Sequence, residues 1–218
     1  GVLPVGFPVM DGHDMGVGSL LPFLGKDDNE RRVMINSVAP HWDGNQVWLI
    51  TGGGAIFAPW PMMYATAFSG FYWAMLVLLM ALIFRPVAFD FRSKVAATKW
   101  RTTWDWLLFL GPAIPPVICG VAFGNLLQGV PFHIDETMRP IYTGSFFGLL
   151  NPFGLLCGVL SLVMIVAHGG NYLTLRTEGA LQARARNVAF IAGIVSAVLF
   201  VIGGLWVWAG IDGYVAVA

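Results

Sequence analysis

From Val47 to Phe84 the chain runs for 38 residues without a charged side chain. As one helix this run would be about 57 Å long, against a bilayer hydrocarbon core of about 30 Å. It therefore predicts two membrane helices, with Pro59 and Pro61 on either side of Trp60 marking the turn, since proline breaks the hydrogen-bond ladder and pushes its predecessor out of helical geometry. The rest of the chain has the same character. Apolar residues make up 57% and charged residues 11%, far below the roughly 25% charged of a soluble domain. The fold class is an all-α integral membrane protein. Twelve basic and twelve acidic residues cancel, so net charge points to no nucleic-acid or anionic partner.

About six membrane helices are expected. Gly1 to Leu24 reads as the inner part of a first span, carrying Asp11 and Asp14 on one helix face. Within it Gly12-His13-Asp14-Met15-Gly16 is a GxxxG pattern that permits close helix approach, and His13 reads as a polar member of that packed seam. Gly25 to Arg32 is read as a charged loop and Arg85 to Arg101 as a second one. Trp106 to Leu127 is a fourth span, kinked at Pro112 and Pro115-Pro116, with Gly120 and Gly124 as another close-packing pair. After a loop bearing His133, Asp135, Glu136 and Arg139 comes a fifth span, Phe146 to Ala167, with Gly154 and Gly158. A short basic loop and a sixth span, Val188 to Ala209, complete the set, and the chain ends in a polar tip, Ile211-Asp212-Gly213-Tyr214. Cys119 and Cys157 lie in apolar runs without paired spacing and read as small hydrophobes. Gly1 is not a start methionine, and a fragment is expected at both ends.

Basic residues set the orientation. Three loops hold Lys26, Arg31 and Arg32; Arg85, Arg92, Lys94, Lys99 and Arg101; and Arg176, Arg184 and Arg186, against Arg139 alone on the other side. The positive-inside rule places loops 25–32, 85–103 and 171–187 in the cytoplasm. Asp43, in the stretch Pro40-His41-Trp42-Asp43-Gly44-Asn45-Gln46-Val47-Trp48, then lies at the cytoplasmic mouth of the second span, with Arg85 near it in depth. An acid at a membrane edge is either a functional group or a helix cap taking up free N–H groups.

Several long strings carry a family resemblance: DGHDMGVG (Asp11 to Gly18), ERRVMINSVAPHWDGNQVWLITGGGAIFAPWP (Glu30 to Pro61), FSGFY (Phe68 to Tyr72), FRPVAFDFRSK (Phe84 to Lys94), VAFGNLLQGVPF (Val121 to Phe132) and LLNPFGLL (Leu149 to Leu156). Together they closely resemble subunit II of the bacterial cytochrome bd quinol oxidases, over nearly the whole chain. One departure is His13, where the family commonly has phenylalanine. The resemblance implies a larger subunit of two related four-helix bundles. On that reading residues 1–218 form a single transmembrane domain, with 1–128 the first four-helix bundle and 129–218 the start of an incomplete second.

It also implies a heterodimer with subunit I in the bacterial inner membrane, a terminal oxidase that oxidises quinol and reduces dioxygen in aerobic respiration. The b-type haems and haem d are then held by subunit I, and this agrees with a sequence offering no ligand-spaced His pair or Cys–His cluster; no metal ligand and no redox-active residue is expected here. A quinone and a small accessory subunit are compatible with this picture. Carried over residue by residue, Asp43 takes the entrance of a cytoplasmic proton path, Trp48 a place near dioxygen access or simply a packing role. Asp14, Trp42 and Arg85 maintain haem d or the subunit contact, with an Asp14–Arg85 ion pair expected between the first and third spans. His41 and His168 read as satisfied polar residues at span ends. Two other classes stay open at this stage: a secondary transporter using Asp11, Asp14 and Asp43, and a purely structural assembly subunit.

Overall fold

The computed structural model describes residues 2–137 and 139–211. Among the described residues nine α-helices follow in order: α1 (Val2–Met10), α2 (Gly12–Leu24), α3 (Asp28–Val38), α4 (Trp42–Phe57), α5 (Pro61–Gly70), α6 (Tyr72–Phe91), α7 (Thr98–Gln128), α8 (Pro152–Arg176) and α9 (Gly179–Gly210). Between α7 and α8 a short antiparallel hairpin, β1 (Phe132–Ile134) and β2 (Pro140–Tyr142), pairs Phe132 with Tyr142. The chain is thus an all-α, multi-pass membrane protein in which α6, α7, α8 and α9 are each long and apolar enough to cross a bilayer. The polar tip beyond Ile211 lies outside the described residues.

The first span is two helices that meet at Asp11. Hydrogen bonds continue through the junction, from Asp11 N–H to the Phe7 carbonyl and from Met15 N–H to the Asp11 carbonyl, so the axis continues across it. The uncharged run is divided as the prolines predict, between Phe57 and Pro61. It is divided once more, at Phe71, where Gly70 ends α5 and the buried Phe71 ring starts the next helix. Two helices were expected from this run and three are present.

Both expected polar loops are shorter than the sequence suggests. Asp27 caps α3 by accepting from the Glu30 N–H, and Glu30 in turn accepts from the Lys26 N–H. This reciprocal arrangement is a capping box in character, and it turns most of the charged loop into helix. Similarly α6 runs on to Phe91, so Arg85 is a helix-interior residue, and α9 begins at Gly179, so Arg184 and Arg186 are helical. Trp100, in the first turn of α7 and edge-on to Trp104, reaches back across the short connection, its indole donating to the Phe91 carbonyl.

Packing runs through glycine. On α2, a Cβ at Gly16 would strike the Ile165 carbonyl and Gly169 of α8, and a Cβ at Gly169 would strike Gly16 in return. On α7, Gly120 faces Gly158 and Gly124 faces Gly154, so the two GxxxG patterns of α7 and α8 lie against each other. Without side chains in these seams the backbones approach closely enough for dispersion to act along their length, which is what holds helices together in lipid. Around the seams lies one core of Val17, Leu20, Leu21, Met34, Leu108 and Leu173, and a second of Met15, Leu78 and Leu82. Cys157 is half-buried beside Gly124 and unpaired.

Gly16→Val should lower the thermal midpoint of the detergent-solubilised protein by an amount matching at least the 1–3 kcal/mol typical of overpacking, roughly, because backbone rather than a flexible tip blocks the new methyls. Gly53→Ala, on a helix position with nothing within 4 Å, should leave that midpoint unchanged or raise it.

Candidate functional site

Two polar groups are buried against the first span, one of them where the α1–α2 junction meets α6. Arg85 donates to both oxygens of Asp11, Nη1 to Oδ2 at 2.9 Å and Nη2 to Oδ1 at 2.7 Å, with both side chains almost wholly enclosed. This bidentate geometry is the strongest form of the arginine–carboxylate bond. The expected partner of Arg85 was Asp14, and the structure corrects this: Asp11 takes both guanidinium donors. Asp11 and Asp14 sit within one turn on one face, and it is Asp11, at the α1–α2 junction, that the α6 arginine meets. Trp42 covers the same arginine, its ring centroid 5.8 Å from the guanidinium carbon, and stacks on Phe89 at 5.0 Å. Trp42 and Arg85 are therefore brought together, and Asp14 lies one turn away.

Asp14 belongs to a second cluster, built from α2, the α3–α4 corner and α8. Asn45 Nδ2 donates to Asp14 Oδ2 at 2.8 Å and reaches His41 Nδ1 at 3.1 Å. Oδ1 of Asp14 faces His13 Nε2 at 3.2 Å and His41 Nδ1 at 3.4 Å. His41 Nε2 contacts the Tyr172 hydroxyl at 3.0 Å, and that hydroxyl donates to the Ser37 carbonyl at 2.8 Å. The rings of His13 and Tyr172 lie 4.4 Å apart, with His41 and His168 at 5.3 and 5.7 Å from His13. His168 itself bonds the Val9 carbonyl at 3.1 Å. Asn45 and Tyr172 were not singled out in the sequence. Their signal is spacing: His41 and Asn45 stand four apart and so share the inward face of the α4 start.

Asp43 points the other way. It is exposed in the first turn of α4, and among the described residues its carboxylate takes part in no hydrogen bond or ion pair. The capping role open to it in the sequence is not the one the structure shows. Trp48 is half-buried, its six-membered ring lying against Gly6 of α1. That contact gives the indole a packing partner.

A third group, unforeseen in the sequence, ties helix ends together. Buried Asp105 of α7 accepts from Arg92 Nε at 2.5 Å and from Arg31 Nη1 at 2.8 Å. Asp28 of α3 accepts from Arg92 Nη2 at 2.8 Å and Arg101 Nη1 at 2.7 Å, and Glu30 accepts from Arg184 of α9. Burial alone pushes the Asp28 carboxyl up, but the Arg92 hydrogen bond and the charges of Arg92 and Arg101 outweigh it and hold it below its ordinary value. The Arg184 hydrogen bond, with the Lys26 N–H, does the same for Glu30. A recess of about 320 Å³ opens among Lys26, Asp28, Arg31, Arg101 and Asp105.

A family model described as cytochrome bd terminal oxidase subunit II matches residues 1–218. Among curated proteins, the cytochrome bd-I ubiquinol oxidase subunit 2 of Escherichia coli strain K12 is 62% identical over 215 residues, 99% of this chain and 57% of that protein. The probable cytochrome oxidase subunit 2 of Haemophilus influenzae is 58% identical over 214 residues, 98% of this chain and 56% of that protein. The cytochrome bd ubiquinol oxidase subunit 2 of Bacillus subtilis is 45% identical over 195 residues, 89% of this chain and 56% of that protein. The chain spans a little over half the length of these relatives.

Arg85→Met leaves Asp11 buried without a counter-ion, and loss of one partner of such a pair costs about 3–5 kcal/mol. Little folded protein should be recovered from membranes, whereas the double replacement Arg85→Met with Asp11→Leu should restore much of the yield and thermal midpoint. For the rim, carboxylates depressed in the folded state stabilise it above their unfolded values and lose that contribution as pH falls through the folded ones. The thermal midpoint should therefore drop between about pH 5 and pH 3, and Asp28→Asn should flatten that drop.

Proposed function

Because the chain belongs to the cytochrome bd terminal oxidase subunit II family, we propose that it is the non-haem-ligating partner in a quinol:dioxygen oxidoreductase. It scaffolds a haem-bearing subunit I in a bacterial inner membrane, with residues 25–32, 85–103 and 171–187 on the cytoplasmic side. The family implies the haems of the complex. The residues present here do not fit one: the rings of His13, His41, His168 and Tyr172 already touch one another, so no slot for a macrocycle opens among the clustered histidines. The b-type haems and haem d are accordingly assigned to subunit I. The transporter reading is not favoured by the family, and neither is a purely structural subunit.

The observation that carries the functional reading is the direction of Asp43. Residues two apart on a helix diverge by about 200°, so with Asn45 turned into this chain's own polar cluster, Asp43 is turned out of it. A carboxylate at the mouth of a span that bonds nothing among the described residues is free to take a proton from water and pass it to a neighbouring subunit. The acid is thus the entrance of a path into subunit I, not of one through this bundle. Asp14, Trp42 and Arg85 serve the subunit contact or the maintenance of haem d indirectly, by fixing α2, α4 and α6 relative to one another. Trp48 stands near dioxygen access by the same carry-over, with its packing on Gly6 as the plainer role. Quinol is the proposed reductant, and a bound quinone or a small accessory subunit is compatible with the exposed apolar faces of α4, α6 and α9.

In the purified complex Asp43→Asn should lower quinol-driven oxygen consumption about tenfold or more, as loss of a positioned proton carrier does. Reduced-minus-oxidised spectra should show haem content unchanged, and Asp43→Glu should keep most of the turnover. Full turnover in Asp43→Asn would remove the proton-entry role.

A further inference from the structure

The cluster around Asp14 contains one atom with no satisfactory neighbour. Oδ1 is buried and accepts no hydrogen bond, although two imidazole nitrogens face it at 3.2 and 3.4 Å. The reason lies on the far side of each ring. His41 Nε2 sits 3.2 Å from the Ser37 carbonyl and beside a Tyr172 oxygen whose own hydrogen is given to that carbonyl, so Nε2 carries the ring hydrogen. His13 Nδ1 faces the Val9 carbonyl, at the long limit of 3.5 Å, and carries its hydrogen likewise. A carbonyl can only accept. The inner nitrogens, His13 Nε2 and His41 Nδ1, therefore bring lone pairs within 3.2 and 3.4 Å of a carboxylate oxygen, the one on His41 also receiving the Asn45 N–H. Arg85 gives no relief, because its donors on this side are spent on Asp11.

Three electron-pair donors converging in a buried place need either a shared proton or a metal cation between them. We propose that His13, Asp14 and His41 form a binding site for a divalent transition-metal ion, with zinc as the representative chemistry. The three donor atoms lie within 4.8 Å of one another. Bonds of about 2.0–2.1 Å in tetrahedral geometry place neighbouring donors about 3.3 Å apart, which matches both distances to Oδ1. Two imidazoles and one carboxylate are a donor set for borderline ions, and the carbonyls of Val9 and Ser37 are the outer partners that fix ligand tautomers in such sites. The ion replaces the Asn45 N–H at His41 Nδ1, while Asn45 keeps its bond to Asp14 Oδ2. It also balances the charge of Asp14, otherwise a buried anion lacking a cation of its own. His13 decides the matter, since a phenylalanine there supplies no donor.

The test reads metal, not turnover, so it stands or falls apart from the proton-entry role. The full-length subunit, purified in its complex and stripped with chelator, is equilibrated with Zn²⁺, desalted and assayed for zinc by elemental mass spectrometry and zinc-edge X-ray absorption. The parent should hold about one zinc more per complex than His13→Phe, with nitrogen and oxygen neighbours at about 2.0–2.1 Å and imidazole scattering beyond. His41→Gln should lose the same equivalent, and His168→Gln, whose ring bonds Val9 instead, should keep it. Equal zinc in the parent and in folded His13→Phe, or none in the parent, overturns the site; the cluster is then an imidazolium–carboxylate pair.

Discussion

The interaction on which the rest depends is the Arg85–Asp11 pair. An isolated ion in hydrocarbon is costly enough that neither residue is tolerable there alone, yet together they fill each other's hydrogen-bonding capacity with almost no solvent contact. Because the guanidinium must meet the carboxylate edge-on, the pair fixes both the depth of α6 against the first span and the rotation of that span. Trp42, lying over the guanidinium and against Phe89, brings the start of α4 into the same register. Three elements distant in sequence are located by one charged contact.

Glycine does the complementary work where no charge is available. The Gly16–Gly169 contact sets α2 onto α8, and the matched pairs Gly120–Gly158 and Gly124–Gly154 set α7 onto α8. Lipid gives helices little hydrophobic reason to associate, so packing this close, together with the buried polar bonds, is what selects the arrangement. The α2–α8 seam also carries His13 and His168 to within ring contact of each other. A polar cluster of this density is reachable only because the backbones beside it approach so nearly.

The all-helical, membrane-spanning character, the proline turn at Pro59–Pro61 and the glycine seams were legible in the sequence, since each rests on composition or spacing within one segment; of the six spans expected, four helices are long and apolar enough to cross a bilayer. Choices between segments were not. Asp11 and Asp14 lie within one turn, and nothing local says which of them meets Arg85; that depends on how α6 is set against the junction of α1 and α2. Asp105 stood out by no local pattern, yet it anchors arginines from two other elements. The helix α3 was present in the sequence as Asp27 followed three residues later by Glu30, a start signal hidden inside what otherwise reads as a run of solvated charge. The histidines were scattered singly along the chain, so their convergence belongs to the fold alone.

The polar groups of this chain divide by whether they are spent internally. Asp11, Arg85, Arg92 and Asp105 are buried and matched, and their chemistry ends in holding helices together. Asp43 is exposed and, among the described residues, unmatched, so its capacity is directed outward, toward its surroundings. Asp14 is the exception to both, buried and yet half-satisfied, one oxygen bonded to Asn45 and the other confronted by nitrogen lone pairs. A buried acceptor left in that state destabilises its fold unless a cation completes it, and the surrounding carbonyls hold both imidazoles in the tautomer that keeps their lone pairs turned inward. The site is thus defined less by what its residues contact than by the charge their arrangement lacks.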